Sequence, residues 1–215
     1  MTDPQLQRDV SDELAWDSKV GSEGIAVSVE DAVVALRGTV GSFREKREAQ
    51  KAAERVCGVR LVDNHLEVRI LTKREDADLC AYVRRALQLD VLVPATVDVA
   101  VKAGCVTLIG TVEKQCQRDE AAFVAGNVRG VTDVRNDLLL TSPVQLTSDV
   151  RHGIRKALER NSKLDADSIG VRIVKGMVIL TGTVASWAER DAAVAAAWAA
   201  PGVIDVVSRL QLFYD

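Results

Sequence analysis

The chain has 215 residues and carries 28 Lys and Arg against 31 Asp and Glu, a formal net charge of −3 at pH 7. This slight acidity and an aromatic content of 4% disfavour nucleic-acid binding, which needs a basic surface and stacking platforms. No apolar run approaches the roughly 20 residues of a membrane-spanning helix, and the four cysteines show no CxxC spacing. We therefore expect a globular chain with reduced thiols.

The first predicted element is an amphipathic helix. Leu6, Val10 and Leu14 recur at every fourth position and would form one apolar face. Two later segments show the same spacing, namely Leu79, Val83 and Leu87, and then Val150, Ile154 and Leu158.

A β-hairpin is predicted next. Apolar residues alternate with small residues over positions 25–29, a turn follows, and the alternation resumes at Val34 and runs into Gly38-Thr39-Val40. The Gly-Thr-Val string returns at 110–112 and again at 182–184, each time 72 residues further along. A fixed period of this kind indicates internal repeats.

A second helix and a last strand complete each repeat. The helix is predicted over Phe43–Val56, a glycine follows as its C-terminal stop, and the strand is predicted over Arg60–Arg69. The later helices are predicted at Cys116–Val128 and Trp187–Ala199, and the later strands at Val131–Leu140 and Val203–Phe213. The recurring glycines at element ends are Gly38, Gly58, Gly110, Gly130, Gly182 and Gly202.

The pattern predicts an α+β protein of three tandem α-β-β-α-β units. In each unit, a three-stranded sheet covered on one face by two helices is the economical packing. We place the domains at residues 1–73, 74–144 and 145–215. Because a unit of this size buries only a modest core, we expect the copies to dock on one another or to be joined by short links.

The repeated string resembles the BON domain. Gly-Thr-Val is followed by an Ala-rich helix and then by Gly-Val-x-x-Val-x-Asn-x-Leu, which begins at Gly58 and has its Asn at position 64. The second copy keeps Asn136, whereas the third has Ser208 at that place. The resemblance covers essentially the whole chain. It implies a mixed sheet with two helices, and a non-enzymatic association with phospholipid membranes, often under osmotic or envelope stress.

The residues show no catalytic or metal-binding constellation. The histidines, His65 and His152, fall in different units, and nothing nearby supplies converging ligands. Thr39 recurs in all three copies without an accompanying base, and Asn64 and Asn136 suit a backbone-bonding role. We therefore expect no enzyme activity, no metal and no cofactor.

The first helix of the third copy is basic. Residues 146–215 carry 9 Lys and Arg against 8 Asp and Glu, and no other copy is net basic. Two interpretations stay open: this helix binds anionic lipid headgroups, or it is a solvated outer face whose apolar stripe packs on the sheet. The candidate lipid-binding residues are Arg151, His152, Arg155, Lys156, Arg160 and Lys163.

A basic residue also recurs eight positions after the first glycine. Lys46, Arg118 and Arg190 hold this position in the three copies. Such a residue could contact a headgroup in triplicate, or it could pair with a carboxylate at the rim of the sheet.

The leading hypothesis is a bacterial stress-response BON protein that binds anionic phospholipid peripherally at the inner membrane. Residues 1–9 lack a basic region followed by an apolar one, so we expect a cytoplasmic location. One alternative is a soluble protein-interaction scaffold or chaperone-like binder. Another, which the family resemblance suggests, is potassium sensing, although the chain has no LysM stretch and its carboxylates form no cation-binding loop.

Overall fold

The computed structural model describes residues 2–70, 74–141, 150–161, 166–174 and 176–213. Three copies of the order α-β-β-α-β follow one another along the chain. The predicted α+β class and the tandem arrangement are therefore confirmed.

The first copy consists of α1 (Asp3–Trp16), β1 (Ile25–Glu30), β2 (Val33–Val40), α2 (Phe43–Arg55) and β3 (Leu61–Val68). The second consists of α3 (Asp76–Leu89), β4 (Val97–Lys102), β5 (Cys105–Val112), α4 (Gln115–Gly126), β6 (Asp133–Asn136) and β7 (Leu139–Leu140). The third consists of α5 (Val150–Glu159), β8 (Ile169–Val174), β9 (Met177–Val184), α6 (Trp187–Trp198) and β10 (Asp205–Leu212).

Each sheet is mixed. Its first two strands form an antiparallel hairpin, and its central strand pairs in parallel with the strand that follows the second helix. Gly38 lies in the central strand between Ile25 on one side and Leu66 on the other. The third copy repeats this register around Gly182.

The last strand of the second copy is interrupted. Where we predicted one strand over 131–140, the structure has the two short strands β6 and β7, both paired with β5. Leu138, which lies in the interruption, is still buried. Leu138 thus keeps its place in the core although the strand pairing is interrupted there.

Each core is formed between the helices and one face of the sheet. In the first copy, Leu6, Val10 and Leu14 are at most 2% exposed and belong to the same cluster as Val34 and Leu36. The second helices contribute small side chains, which let the helix lie close to the strands. The fully buried alanines of these helices are Ala49, Ala52, Ala53, Ala121, Ala125, Ala193 and Ala197.

The glycine of the Gly-Thr-Val string is required by a close backbone approach. Gly38 and Gly110 have φ values of +126° and +124°, which side-chain-bearing residues rarely adopt. A Cβ added at Gly38 would overlap the carbonyl oxygen of Gly24, and one at Gly110 would overlap that of Thr96. The recurrence of this glycine therefore reflects backbone geometry.

The chain divides into two compact units. One comprises Met1–Val112 with Cys116–Leu139 and holds the first two copies; the other comprises Glu113–Gln115 with Leu140–Asp215 and holds the third.

Within the first unit, residues of α2 contact α4. The guanidinium carbon of Arg47 lies 4.9 Å from the ring centre of Phe123, and Arg47 Nη2 donates to Asn127 Oδ1 at 3.4 Å. Burial lowers the pKa of the Arg47 guanidinium. The other copies have Asp119 and Asp191 at the position of Arg47. The contact is thus made by a side chain that the repeats do not share.

We expect Gly110→Ala to destabilise the protein by about 3 kcal/mol, because the substitution forces both a strained φ and a steric overlap. Urea unfolding followed by circular dichroism measures the change. The matched control is Gly153→Ala, at an exposed helical glycine whose added Cβ would meet nothing within 4 Å. This control should raise stability by about 0.5–1 kcal/mol. Equal midpoints for the two variants would contradict the requirement for glycine at position 110.

Candidate functional site

The basic helix α5 presents its charges to solvent. Its apolar stripe, Val150, Ile154 and Leu158, is buried in the core of the third copy. The predicted basic residues within the described part of the chain are all exposed, namely Arg151, His152, Arg155, Lys156 and Arg160. Lys163 lies outside the described residues. The stripe therefore packs on the sheet, as one interpretation had it, and the charges form a separate outer face.

Arg155 differs from the other cations of this face. Its Nη2 lies 3.2 Å from Asp167 Oδ1, and its Nε lies 3.4 Å from Glu159 Oε1. Within the described ranges, Arg151, Lys156 and Arg160 have no ion pair. The positive charges of these three side chains are therefore not paired with a carboxylate of the described residues.

A groove runs between α5 and α6. It has a volume of about 350 Å³. Small residues form much of its lining, among them Gly153, Ala157, Ala196 and Ala199, and Arg160 also lines it. We call it the α5–α6 groove. It brings an apolar surface next to the basic face.

The repeated basic position is tied to the fold through its backbone. Asn64 Nδ2 donates to the carbonyl oxygen of Lys46 at 2.9 Å, and Asn136 Nδ2 donates to that of Arg118 at 2.9 Å. Each asparagine Oδ1 also accepts the N–H of the residue two positions on, at 3.2 Å and 3.3 Å. The asparagine of the repeated string thus links the last strand to the second helix, which is the backbone-bonding role expected for it.

The side chains at the repeated basic position have different surroundings. Arg118 Nη2 donates to the carbonyl oxygen of Asn136 at 3.3 Å, and the Arg190 guanidinium lies 4.6 Å from the ring centre of Trp187. Within the part of the chain that the structure describes, no carboxylate pairs with Lys46, Arg118 or Arg190. Arg118 and Arg190 are therefore engaged inside their own copies.

The third copy lacks the asparagine link. Ser208 stands in the place of Asn64, and its hydroxyl oxygen is buried with no hydrogen-bond partner among the described residues. A serine side chain is too short to reach the carbonyl of Arg190 as the asparagine amide reaches that of Lys46. A buried hydroxyl without a partner costs stability.

Two features were missed by the sequence reasoning. Trp16 and Leu89 occupy equivalent positions at the ends of α1 and α3 and are 86% and 70% exposed, and Val91 beyond α3 is 96% exposed. Trp16 does not belong to the apolar stripe of Leu6, Val10 and Leu14. Its position in the helical pattern could therefore have predicted that it is exposed. The α5–α6 groove was also missed, since it depends on how two distant helices meet.

In the ranges that the structure describes, no group of three or more His, Cys, Asp and Glu side chains is placed to hold a metal ion. No helix in those ranges combines the length and the apolar character needed to cross a bilayer.

Three consecutive mixed-sheet units with this signature define a tandem α+β repeat protein. The model of the BON domain family matches the chain three times, over residues 2–70, 75–142 and 147–212. The chain therefore belongs to the BON domain family.

The chain is similar to osmotically-inducible protein Y of Escherichia coli (strain K12). The two are 34% identical over 145 residues, which covers 64% of this chain and 72% of that protein.

Two solved structures of CdsD, a structural protein of the type III secretion system of Chlamydia trachomatis, were also matched. One is 14% identical with a TM-score of 0.29, covering 98% of this chain and 93% of that one. The other, of the C-terminal domain, is 13% identical with a TM-score of 0.28, covering 99% and 100%.

We expect Ser208→Asn to stabilise the third copy by about 1 kcal/mol, because the amide would donate to the carbonyl of Arg190 and remove the unsatisfied hydroxyl. The urea midpoint of the variant should rise. The reverse change, Asn64→Ser, removes the same link from the first copy and should cost about 1–3 kcal/mol. A lower midpoint for Ser208→Asn would show that the amide does not bridge β10 and α6.

Proposed function

We propose that this protein binds the surface of anionic phospholipid membranes peripherally, in a non-enzymatic and stress-associated role. The observation that carries the proposal is the outer face of α5, where Arg151, Lys156 and Arg160 are exposed and have no ion pair within the described ranges. The name of the osmotically inducible relative supports the association with stress.

The binding is electrostatic in origin. Because Val150, Ile154 and Leu158 are buried in the core, the apolar side of α5 does not insert into a bilayer. Each Lys or Arg near an anionic surface contributes about 1 kcal/mol. Three such residues give about 3 kcal/mol, which suits reversible attachment and weakens as salt screens the attraction. On this proposal the protein is cytoplasmic and meets the anionic lipids of the inner membrane.

A protein-interaction scaffold is the second candidate function. It is favoured by the exposed apolar side chains at the ends of α1 and α3, Trp16, Leu89 and Val91. Exposed apolar groups of this kind occur where partners dock. A scaffold would use the first two copies, whereas lipid binding uses the third, so the two functions are separable by mutation.

Sedimentation with vesicles tests the membrane proposal. The wild-type protein should pellet with phosphatidylglycerol vesicles at low salt and stay in the supernatant with phosphatidylcholine vesicles. The triple variant Arg151→Gln/Lys156→Gln/Arg160→Gln should bind phosphatidylglycerol about 100-fold more weakly, the factor that corresponds to about 3 kcal/mol.

A matched variant separates the site from net charge. Arg8, Lys51 and Arg85 are exposed basic residues on α1, α2 and α3. Changing all three to Gln alters the net charge by the same amount and should leave vesicle binding close to wild type. Equal losses in the two triple variants would refute α5 as the binding site, and absence of wild-type recruitment at low salt would refute membrane binding itself.

A further inference from the structure

The α5–α6 groove lies between α5 and the C-terminal end of α6, where Ala196, Ala199, Ala200 and Pro201 form its second wall. The first wall extends from Val150, at the start of α5, to Arg160, the residue that follows the helix; this is a rise of about 15 Å at the helical repeat. Its volume of about 350 Å³ falls within the range of roughly 300–1,000 Å³ that is typical of small-molecule sites. An extended apolar chain suits these dimensions better than a compact polar ligand does.

In the first copy, an ion pair joins the equivalent positions of the first and second helices. Glu13 and Arg55 stand at the positions of Ala157 and Ala199. Arg55 Nε lies 2.8 Å from Glu13 Oε1, and Arg55 Nη2 lies 2.7 Å from Asp17 Oδ2. The hydrogen bond from Arg55 lowers the pKa of Asp17. Glu13 and Arg55 are thus replaced by alanines in the third copy, whereas Asn161 stands at the position of Asp17.

The second copy engages the same helix position differently. Asn127, which corresponds to Ala199, accepts a hydrogen bond from Arg47 of the first copy at 3.4 Å. In each of the first two copies, therefore, a polar side chain at this position makes a contact within the protein. In the third copy the corresponding side chain is an alanine that lines a groove.

The charge beside the groove indicates the chemistry of its occupant. Arg160 lines the groove, Lys156 is exposed one turn earlier on α5, and no carboxylate is among the described residues that line it. Glu159, the acidic residue of α5, lies 3.4 Å from Arg155. An apolar groove with Arg160 in its lining, and with Lys156 exposed nearby, is complementary to an amphiphile with an anionic head.

We propose that the α5–α6 groove holds one acyl chain of an anionic phospholipid, with Arg160 and Lys156 at its phosphate. This inference rests on the proposed membrane function and adds to it a specific site for a single lipid molecule. The cations of α5 attract the surface, and the groove retains one chain.

Titration calorimetry with monomeric lipids tests the groove separately from the surface. The probes are myristoyl lysophosphatidylglycerol, kept below the concentration at which it forms micelles, and glycerophosphoglycerol, which is the same headgroup without the chain. The wild-type protein should bind the chain-bearing probe tighter by roughly a factor of ten or more, since burying even two methylene groups gives that factor.

The variant Ala157→Glu/Ala199→Arg transfers the ion pair of the first copy into the groove without changing the net charge. It should lose the preference for the chain-bearing probe and still pellet with phosphatidylglycerol vesicles. Gly153→Leu provides a second way to fill the groove, because a Cβ at this position meets nothing within 4 Å. Thermal unfolding checks that both variants fold.

Three outcomes would overturn the proposal. Either variant could bind the lysophospholipid as the wild type does, which would show that the chain does not enter the groove. Myristoyl lysophosphatidylcholine could bind equally well, which would remove the role of the cations. Myristate could bind with the same affinity, which would make a free fatty acid the occupant. Failure of vesicle recruitment with intact lysophospholipid binding would instead refute the surface proposal alone.

Discussion

The packing of the first helix of each copy against its own sheet is the constraint on which the rest of the structure depends. A unit of about 70 residues has little apolar surface to bury. The apolar stripe of α5, Val150, Ile154 and Leu158, is therefore fully used in the core of the third copy. What remains of the helix for any other purpose is its outer, charged face and its flank toward α6. Function in the third copy is therefore confined to surfaces that the core does not use.

The three copies differ in sequence at positions that do not contribute to the packing of helix on sheet. The glycines of the central strands are retained in all three copies, because a side chain there would overlap backbone. By contrast, the link between first and second helices is an ion pair through Arg55 in the first copy and a pair of alanines in the third. Exposed ion pairs contribute about 0–1 kcal/mol each. Losing one is thus a small cost, and it allows the groove to form without endangering the fold.

The elements and the core were predictable from local patterns. A spacing of four places Leu6, Val10 and Leu14 on one helical face, and alternation assigns strands, so both follow from the sequence alone. The groove was not predictable, because it depends on the distance between α5 and α6 and on comparing Ala157 and Ala199 with residues two repeats away. The pairing of Arg155 with Asp167 across separate elements was hidden for the same reason.

On the proposed function, the two features of the third copy respond differently to ionic strength, and together they would give a two-stage mode of attachment. Attraction between α5 and an anionic surface acts over a distance of about 10 Å and falls as ionic strength rises. Burial of an acyl chain acts only on contact and is strengthened rather than weakened by salts that are excluded from protein surfaces. A protein with both features is recruited fastest at low ionic strength. On the same proposal, a buried chain is retained when ionic strength rises, because burial of apolar surface does not depend on attraction between charges.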